Sequence, residues 1–228
     1  MERTPREMAV IKDLGVVLRE YPAGESNKKL VLLTQRQGKI TVFARGSRRA
    51  QSKLATGLFS YNEFVIFDGG GFCSLNHVLP MHIFGGITED YDKFCLGCCF
   101  LEIADKMVLS TMDASGILRI LLNTFAEMER NRHVLKLIFA VFVMKVLQAE
   151  GLAPLVDDNC AQSGESALRL TPETARALTY ILEADGKDIF AFKASDDVAN
   201  QLYRAARLFV AESLDVQIKS LEMIGDIL

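Results

Sequence analysis

The spacing of hydrophobic positions changes along the chain and divides it into two parts. Up to about residue 80, apolar residues alternate with polar ones or form short β-branched runs between glycine-rich turns, which is typical of strands. The second and third strands read as a hairpin closed around Gly38, and Gly15 marks a bend or bulge in the first. Closing a sheet removes its exposed edges, so the pattern favours a small closed or partly open barrel. The predicted strands cover residues 9–21, 29–35, 39–46, 58–67 and 72–80.

From Thr88 onward the apolar positions repeat with helical spacing. Thr88, followed by acids, is expected to cap the first helix, and Thr171 with Pro172 another. Residues 156–170 are polar and read as a turn-rich loop. The fold class is therefore α+β, with a five-stranded barrel domain over residues 1–80 and a helical domain over residues 81–228. The predicted helices cover residues 88–109, 114–130, 134–151, 171–184 and 195–214, with a last short one towards residue 228.

The charge is distributed unevenly. A formal net charge of −3 taken alone argues against a nucleic-acid-binding protein. Residues 1–60, however, hold 12 Lys and Arg against 5 Asp and Glu, whereas residues 61–228 hold 14 against 24. The stretch 26–62 has no acid at all. Because a polyanion contacts a local surface rather than an average, the first part of the chain is a candidate for binding one.

The basic stretch combines cations with aromatic residues. Cations neutralise phosphates, and aromatic faces stack on unpaired bases whatever the base, so the combination indicates a single-strand platform on the barrel. Phe43 shares a strand face with Arg45, while Phe59 fits the core equally well. A solvated surface is the alternative interpretation for the cations. The candidate DNA-binding residues are Lys28, Lys29, Arg36, Lys39, Phe43, Arg45, Arg48, Arg49, Lys53 and Tyr61.

The other residues that carry chemistry give weaker signals. The glycines at 69–71 lack the Gly-Lys-Ser/Thr ending of a phosphate loop, so a hairpin turn is expected. Cys95, Cys98 and Cys99 share a helical face, which allows the start of a zinc site, but buried cysteines commonly pack as apolar residues. The three histidines lie in no acid–base motif, and Asp157 with its neighbour reads as a solvated turn. We therefore expect no catalytic residue, no metal and no cofactor.

The sequence also bears on location. Its start is polar and charged, without the apolar segment of a secretory signal. The apolar run 137–144 is far shorter than the roughly 20 residues that span a membrane, so it is expected to be a buried helix. The 5 cysteines, an odd number with two adjacent, do not form a recognisable disulfide framework. We expect a cytoplasmic protein in a reducing compartment.

Several motifs over residues 14–67 resemble the N-terminal region of the bacterial RecO family of DNA repair and recombination mediators. The segment 203–224, which contains a Lys-Ser-Leu, resembles the last helices of the same family. The motifs that carry the resemblance are Gly24-Glu25-Ser26, Leu32-Leu33-Thr34, Gly38, Ala44-Arg45-Gly46, Arg48-Arg49, Ser52-x-Leu54 and Phe59.

The resemblance implies an OB-fold followed by a helical domain, and a protein that binds single- and double-stranded DNA and anneals complementary strands without catalysis. It also implies RecR and the acidic, hydrophobic C-terminal tail of single-strand binding protein (SSB) as partners in loading RecA, and a nucleoid-associated location. Many members carry two Cys-x-x-Cys pairs that bind zinc. Here Cys160 is followed by Ser163 and no second pair, so residues 153–170 are expected to be a zinc-free remnant loop.

Three hypotheses remain. The first is the non-enzymatic DNA-binding mediator, in which cations that lack an internal partner meet phosphates. The second is an interaction module whose basic barrel docks acidic protein tails, with nucleic acid incidental. The third, an enzyme on nucleic acid, would need a nucleophile or a metal-binding acid cluster, and the acid-free stretch 26–62 argues against it.

Overall fold

The computed structural model describes residues 9–47, 57–70, 72–108, 114–157, 160–164, 166–213 and 218–225, and structural statements below refer to these residues. Three of the candidate DNA-binding residues, Arg48, Arg49 and Lys53, lie outside them. The chain divides into two compact units. One comprises Met1–Gly85 with Val108–Leu118, and the other comprises Gly86–Met107 with Arg119–Leu228.

Five strands form a closed barrel in the order β1-β2-β3-β5-β4. Neighbouring strands are antiparallel except β3 and β5, which are parallel. This order and closure are those of an OB-fold, so the predicted fold class is confirmed. The strands are β1 (Ala9–Ala23), β2 (Asn27–Thr34), β3 (Gly38–Ala44), β4 (Ser60–Asp68) and β5 (Cys73–Ile83).

Two turns confirm the sequence interpretation of the glycines. β2 and β3 form the predicted hairpin, with Thr34 opposite Gly38, whose positive φ of 66° suits a residue without a Cβ. β4 and β5 are joined by the glycine-rich segment, in which Gly70 N–H donates to the Asp68 side chain and Gly69 N–H to the Phe72 carbonyl. The segment is therefore a hairpin turn and not a phosphate loop.

The bulge expected at Gly15 lies elsewhere. Gly15 pairs regularly with Thr34 on β2 and with Asn62 on β4, and the register of β1 shifts between Val17 and Arg19 instead. Gly15 is needed for a close approach of two strands, because a Cβ there would lie 2.2 Å from the Leu33 carbonyl oxygen.

The barrel core is formed by the inward side of the period-two pattern. It consists of buried aliphatic and aromatic side chains from β1 to β4, with residues of β5 packed against them. The fully or almost fully buried members are Val17, Leu30, Leu32, Val42, Ala44, Phe64 and Ile66. Alternate positions of β2 and β3 consequently point outward, where the candidate site lies.

Seven α-helices follow the barrel among the described residues, together with a 3₁₀ helix at Gly186–Phe190. Thr171 caps α5 as expected, since its hydroxyl accepts from Thr174 N–H. Thr88 is the last residue of a short helix, and the following helix begins instead after Asp90, whose side chain accepts from the N–H groups of Asp92 and Lys93. The helices are α1 (Gly85–Thr88), α2 (Tyr91–Met107), α3 (Ser115–Arg130), α4 (Leu135–Ala149), α5 (Pro172–Glu183), α6 (Asp196–Ser213) and α7 (Lys219–Ile224).

The apolar run 137–144 lies in α4 and is buried along its whole length, as predicted. Phe139 packs against Tyr203 of α6 and against Phe100 of α2, which ties three helices together. No helix in the described part of the chain is long and apolar enough to cross a membrane.

The segment 153–170 is not the turn-rich loop that the sequence suggested. Its described residues form a three-stranded antiparallel sheet of β6 (Leu155–Asp157), β7 (Cys160–Ser163) and β8 (Ser166–Arg169). Cross-strand hydrogen bonding organises the segment, with Cys160 placed opposite Asp157 on one side and Arg169 on the other. Strands of three or four residues are too short for a period-two pattern to reveal them.

Candidate nucleic-acid interface

Adjacent lysines on β2 point to opposite sides of the barrel wall. Lys28 pairs with Ala44, a core residue, whereas Lys29 pairs with Phe43 on the outer side. The Lys28 side chain is 13% exposed, and its ammonium forms an ion pair with Glu20 of β1. The expectation that the cations of this stretch have no internal partner is therefore wrong for Lys28, because an acid outside the stretch reaches it across the β1–β2 pairing.

Lys29 belongs to a row of outward residues that crosses four strands at one level of the barrel. Tyr21 of β1 lies opposite Lys29, Lys29 opposite Phe43, and Phe43 opposite Ser74 of β5. Phe72, just before β5, packs on Phe43 with ring centroids 5.9 Å apart and an interplanar angle of 45°. We call Tyr21, Lys29, Phe43 and Phe72 the outer band.

The outer band has exposed aromatic surface beside a cation. Tyr21 is 42% and Phe72 54% exposed, Phe43 is half-buried, and Lys29 is exposed. The Tyr21 hydroxyl accepts a hydrogen bond of 3.0 Å from Arg19 two residues earlier on the same strand face, which orients the ring. Such a surface can hold a phosphate at the ammonium and stack flat groups at the rings.

Arg45 follows directly on β3 and extends this surface. It is exposed in a turn that is fixed by its neighbours, since Gly46 N–H donates to the Asn27 side chain and the Ser47 hydroxyl to the Ala44 carbonyl. Lys39 is half-buried and lies on the same face of β3 as Phe43, but near the opposite end of the strand. The structure thus brings Lys29, Phe43 and Arg45 together.

Arg36 lies apart from that group, in the turn between β2 and β3 at the far end of the hairpin from Arg45. The turn is held by Asp13 of β1, whose carboxylate accepts from the backbone N–H groups of Arg36 and Gln37, both at 2.9 Å. The guanidinium is left exposed. Arg36 therefore remains a candidate only for a nucleic acid that extends along the full length of β3.

The two other aromatic candidates of the sequence lie elsewhere. Phe59 is 1% exposed, so it belongs to the core, and its carbonyl accepts from Phe84 N–H. Tyr61 points outward from β4 and lies opposite His82 of β5. His82 is eight residues along β5 from Ser74, the residue opposite Phe43, which corresponds to roughly 26 Å of strand. Partial burial and the charge of Asp13 raise the pKa of Tyr61.

Sequence reasoning missed Tyr21 and Phe72. Tyr21 could have been found by aligning the buried positions of β1 and β2 as an antiparallel pair, because that alignment places Tyr21 beside Lys29. Phe72 depends on the parallel pairing of β3 with β5, which are separated by the whole of β4. Only the expected strand order of an OB-fold could have indicated that contact.

The three cysteines of α2 lie in largely apolar surroundings, with Cys95 and Cys99 buried and Cys98 partly buried. Burial and the neighbouring Cys95 raise the pKa of Cys98 to about 11, and burial is the largest of the effects that raise the pKa of Cys99 to about 12. Thiolates, the form that binds metals, are thus disfavoured on this face of α2. Among the described residues no group of three or more His, Cys, Asp and Glu side chains is placed to hold a metal ion.

The helical unit contains a separate cavity of about 600 Å³. Its apolar lining includes Val134, Leu137, Phe190 and Phe192, and Lys193 is exposed at its edge.

One wall of the cavity is fixed by the buried carboxylate of Glu127, which accepts hydrogen bonds from Arg132 and from His133 Nδ1 at 2.7 Å. His133 Nε2 lies 2.9 Å from the Phe192 carbonyl. Burial alone would raise the pKa of Glu127, but the hydrogen bonds outweigh it and lower the pKa.

A closed barrel with strand order 1-2-3-5-4, a cation–aromatic surface on its outer wall and a following helical unit define a protein of the OB-fold class. Two family models match the chain. Recombination protein O N terminal matches residues 8–84, and recombination protein O C terminal matches residues 88–222. The chain therefore belongs to the recombination protein O (RecO) family.

Curated relatives agree with this assignment. The DNA repair protein RecO of Acetivibrio thermocellus is 25% identical over 243 residues, covering 95% of this chain and 97% of that protein. The protein of the same name from Alkaliphilus metalliredigens is 26% identical and covers 94% of this chain and 98% of its own length. That of Streptomyces griseus is 29% identical over 168 residues, covering 69% of this chain and 67% of its own length.

Proposed function

We propose that this protein is a non-enzymatic mediator of DNA repair and recombination. In this proposal it binds single- and double-stranded DNA through its barrel domain, residues 1–80, and anneals complementary strands. Together with RecR it helps to load RecA onto DNA coated by SSB, as a cytoplasmic protein associated with the nucleoid. Membership of the RecO family supports the role in repair, and the three relatives described above each carry the name of a DNA repair protein.

The observation that carries the DNA-binding proposal is the position of Lys29 opposite Phe43 on the outer side of β2 and β3. The face of these strands and the loops next to it are where OB-folds bind oligonucleotides. Arg45 adds a second cation at the end of β3, and the loop that follows contributes Arg48, Arg49 and Lys53 in the sequence. Lys28, paired with Glu20, is expected to contribute little.

The proposal is tested by the salt dependence of single-strand binding. If four to six phosphates are neutralised, the slope of log K against log salt is about −3 to −4. Replacing Lys29 by Ala should reduce its magnitude by about 0.7, the contribution of one single-strand phosphate. Replacing Arg45, Arg48 and Arg49 together should flatten it further without unfolding the chain. Fluorescence anisotropy with a labelled oligonucleotide at several salt concentrations measures these slopes.

Lys12→Ala is the matched control. Lys12 is exposed on the same barrel, nine residues before Tyr21 along β1, or roughly 30 Å of strand. Its removal should leave the slope unchanged. Equal loss in the Lys12 and Lys29 variants would indicate diffuse attraction to the barrel, and a triple arginine variant with wild-type binding would refute the proposed interface.

For the SSB tail we propose the cavity of the helical unit. A tail that is both acidic and hydrophobic requires an apolar pocket with a cation at its edge, and the aromatic lining with Lys193 offers both. Replacing Phe192 by Ala should abolish binding of a labelled tail peptide and leave DNA affinity unchanged. If the peptide instead competes with DNA for the barrel and ignores the Phe192 change, the acidic-tail module on the barrel becomes the better account.

A further inference from the structure

The outer band contains two exposed aromatic residues, Tyr21 and Phe72, to which neither the sequence nor the family comparison assigns a role. Single exposed aromatic side chains are common on protein surfaces. Here, however, the strand register places Tyr21 beside Lys29 and Lys29 beside Phe43, and a ring contact places Phe72 on the far side of Phe43. Resting on the proposed function, we propose that Tyr21 and Phe72 stack on unpaired bases and make the barrel selective for single-stranded DNA.

The spacing of the band fits a strand whose bases are separated from one another. Adjacent strands lie about 4.8 Å apart, so Tyr21 is separated by roughly 10 Å from Phe43, two strands away, and Phe72 packs on Phe43. Lys29 lies between Tyr21 and Phe43 and so is placed to bind a phosphate between two bases. Tyr21 and Phe72 therefore contact different bases, and the Lys29 ammonium binds the backbone that joins them.

Two contacts prepare the rings for stacking. The hydrogen bond from Arg19 to the Tyr21 hydroxyl holds that ring by its edge and leaves its faces available. Phe72 rests on Phe43 at 45°, so part of its surface is supported by the barrel while 54% of the residue stays exposed. Rings that are already oriented lose little conformational entropy when a base binds.

Selectivity follows from which surfaces each form of DNA presents. In a duplex the faces of the bases are covered by their neighbours, so only phosphates and groove edges are available. An unpaired strand presents base faces, and stacking on an aromatic side chain does not depend on base identity. The cations bind both forms of DNA, whereas the rings add affinity for the single strand alone.

A new tryptophan gives a direct test, because the natural chain has none. In the Phe72→Trp variant of the full chain, oligothymidine should quench the emission strongly. A duplex of equal length and an abasic oligonucleotide, which has the same phosphates without bases, should each bind and leave the emission almost unchanged. Tyr91→Trp, at a residue of the helical unit that is 69% exposed, is the matched control and should respond to none of the three.

Affinities provide the second measurement. The Tyr21→Ala, Phe72→Ala double variant should bind oligothymidine at least about tenfold more weakly, the loss expected from removing stacked bases. Its affinity for the duplex and for the abasic oligonucleotide should change less than about twofold, since the phosphate contacts remain. A Tyr91→Ala variant should match the wild type throughout.

The outcomes separate this inference from the proposed function. Salt-dependent binding of oligothymidine without quenching in the Phe72→Trp variant, or an equal loss of single- and double-strand affinity in the double variant, overturns the stacking and leaves the DNA-binding proposal standing. Quenching by an acidic peptide but not by oligothymidine assigns the band to a protein partner and overturns it too. Absence of DNA binding by the wild type overturns both.

Discussion

Gly15 offers the sharpest test of the barrel, because its hydrogen atom faces the backbone of the next strand. An added Cβ would lie 2.2 Å from the Leu33 carbonyl oxygen and 2.9 Å from Thr34 Cα. To restore an ordinary van der Waals separation, β1 and β2 must move apart by about 1 Å. The two strands are paired at this point, so the movement weakens their hydrogen bonds. The obstructing atoms are main chain, so no side-chain rotation relieves the contact.

We expect Gly15→Ala to destabilise the barrel by about 3 kcal/mol, at the upper end of overpacking costs. With a urea m-value of about 1–3 kcal/mol/M, the unfolding midpoint should fall by roughly 1–3 M. Hydrogen exchange measured by mass spectrometry at increasing urea resolves peptides of the barrel from those of the helical unit. Only peptides within residues 9–44 and 57–83 should lose protection early.

Gly116→Ala is the matched control, because a Cβ at Gly116 would meet nothing within 4 Å and the residue lies in α3. A glycine-to-alanine change in a helix should leave stability unchanged or raise it by up to about 1 kcal/mol. If Gly15→Ala retained the wild-type midpoint, the close approach of β1 and β2 at this position would be wrong.

Three further outcomes are expected. Asp13→Ala should destabilise the barrel by about 2 kcal/mol in the same urea experiment, since two backbone N–H groups of the β2–β3 turn lose a carboxylate partner. The pKa of Glu127 lies below its ordinary value of 4.5. The stability that the Glu127 carboxylate contributes is therefore present above pH 4.5 and is lost as the pH falls through the lower pKa of the folded state. Glu127→Gln should weaken this pH dependence in acid unfolding curves of the helical unit. Cys98 and Cys99, with pKa values of about 11 and about 12, should react with a thiol reagent at pH 8 far more slowly in the folded than in the unfolded protein; equal rates would contradict the raised pKa values.

The sequence predicted those elements whose signal is local and long. An apolar, β-branched run indicated β1, alternation indicated β4, and the continuous apolar run indicated the buried helix α4. Even there a detail was wrong, because a strand glycine is equally suited to a bulge and to a close approach. Only the partner strand, with the Leu33 carbonyl facing Gly15, distinguishes the two.

The candidate site was predicted in part for the same reason. That Phe43 and Arg45 share a strand face follows from the period-two pattern of β3, but the sequence left open whether that face is exposed, and only the pairing with Lys29 shows that it is the outer one. The ion pair of Lys28 with Glu20 and the contact of Phe72 with Phe43 join residues from different strands. Neither could be predicted until strand neighbours and register were known.

The opposite directions of Lys28 and Lys29 constrain how such a protein can change over evolution. Because the two sides of β2 differ by a single position, inserting or deleting one residue within the strand would exchange interior for exterior along its length and would bring Leu30 into water. Within the strands, ligand preference can therefore change by substitution of outward-facing residues, but not by insertion or deletion. Changes in length are confined to the connections, such as residues 24–26 between β1 and β2, which can lengthen without disturbing the packing inside the barrel.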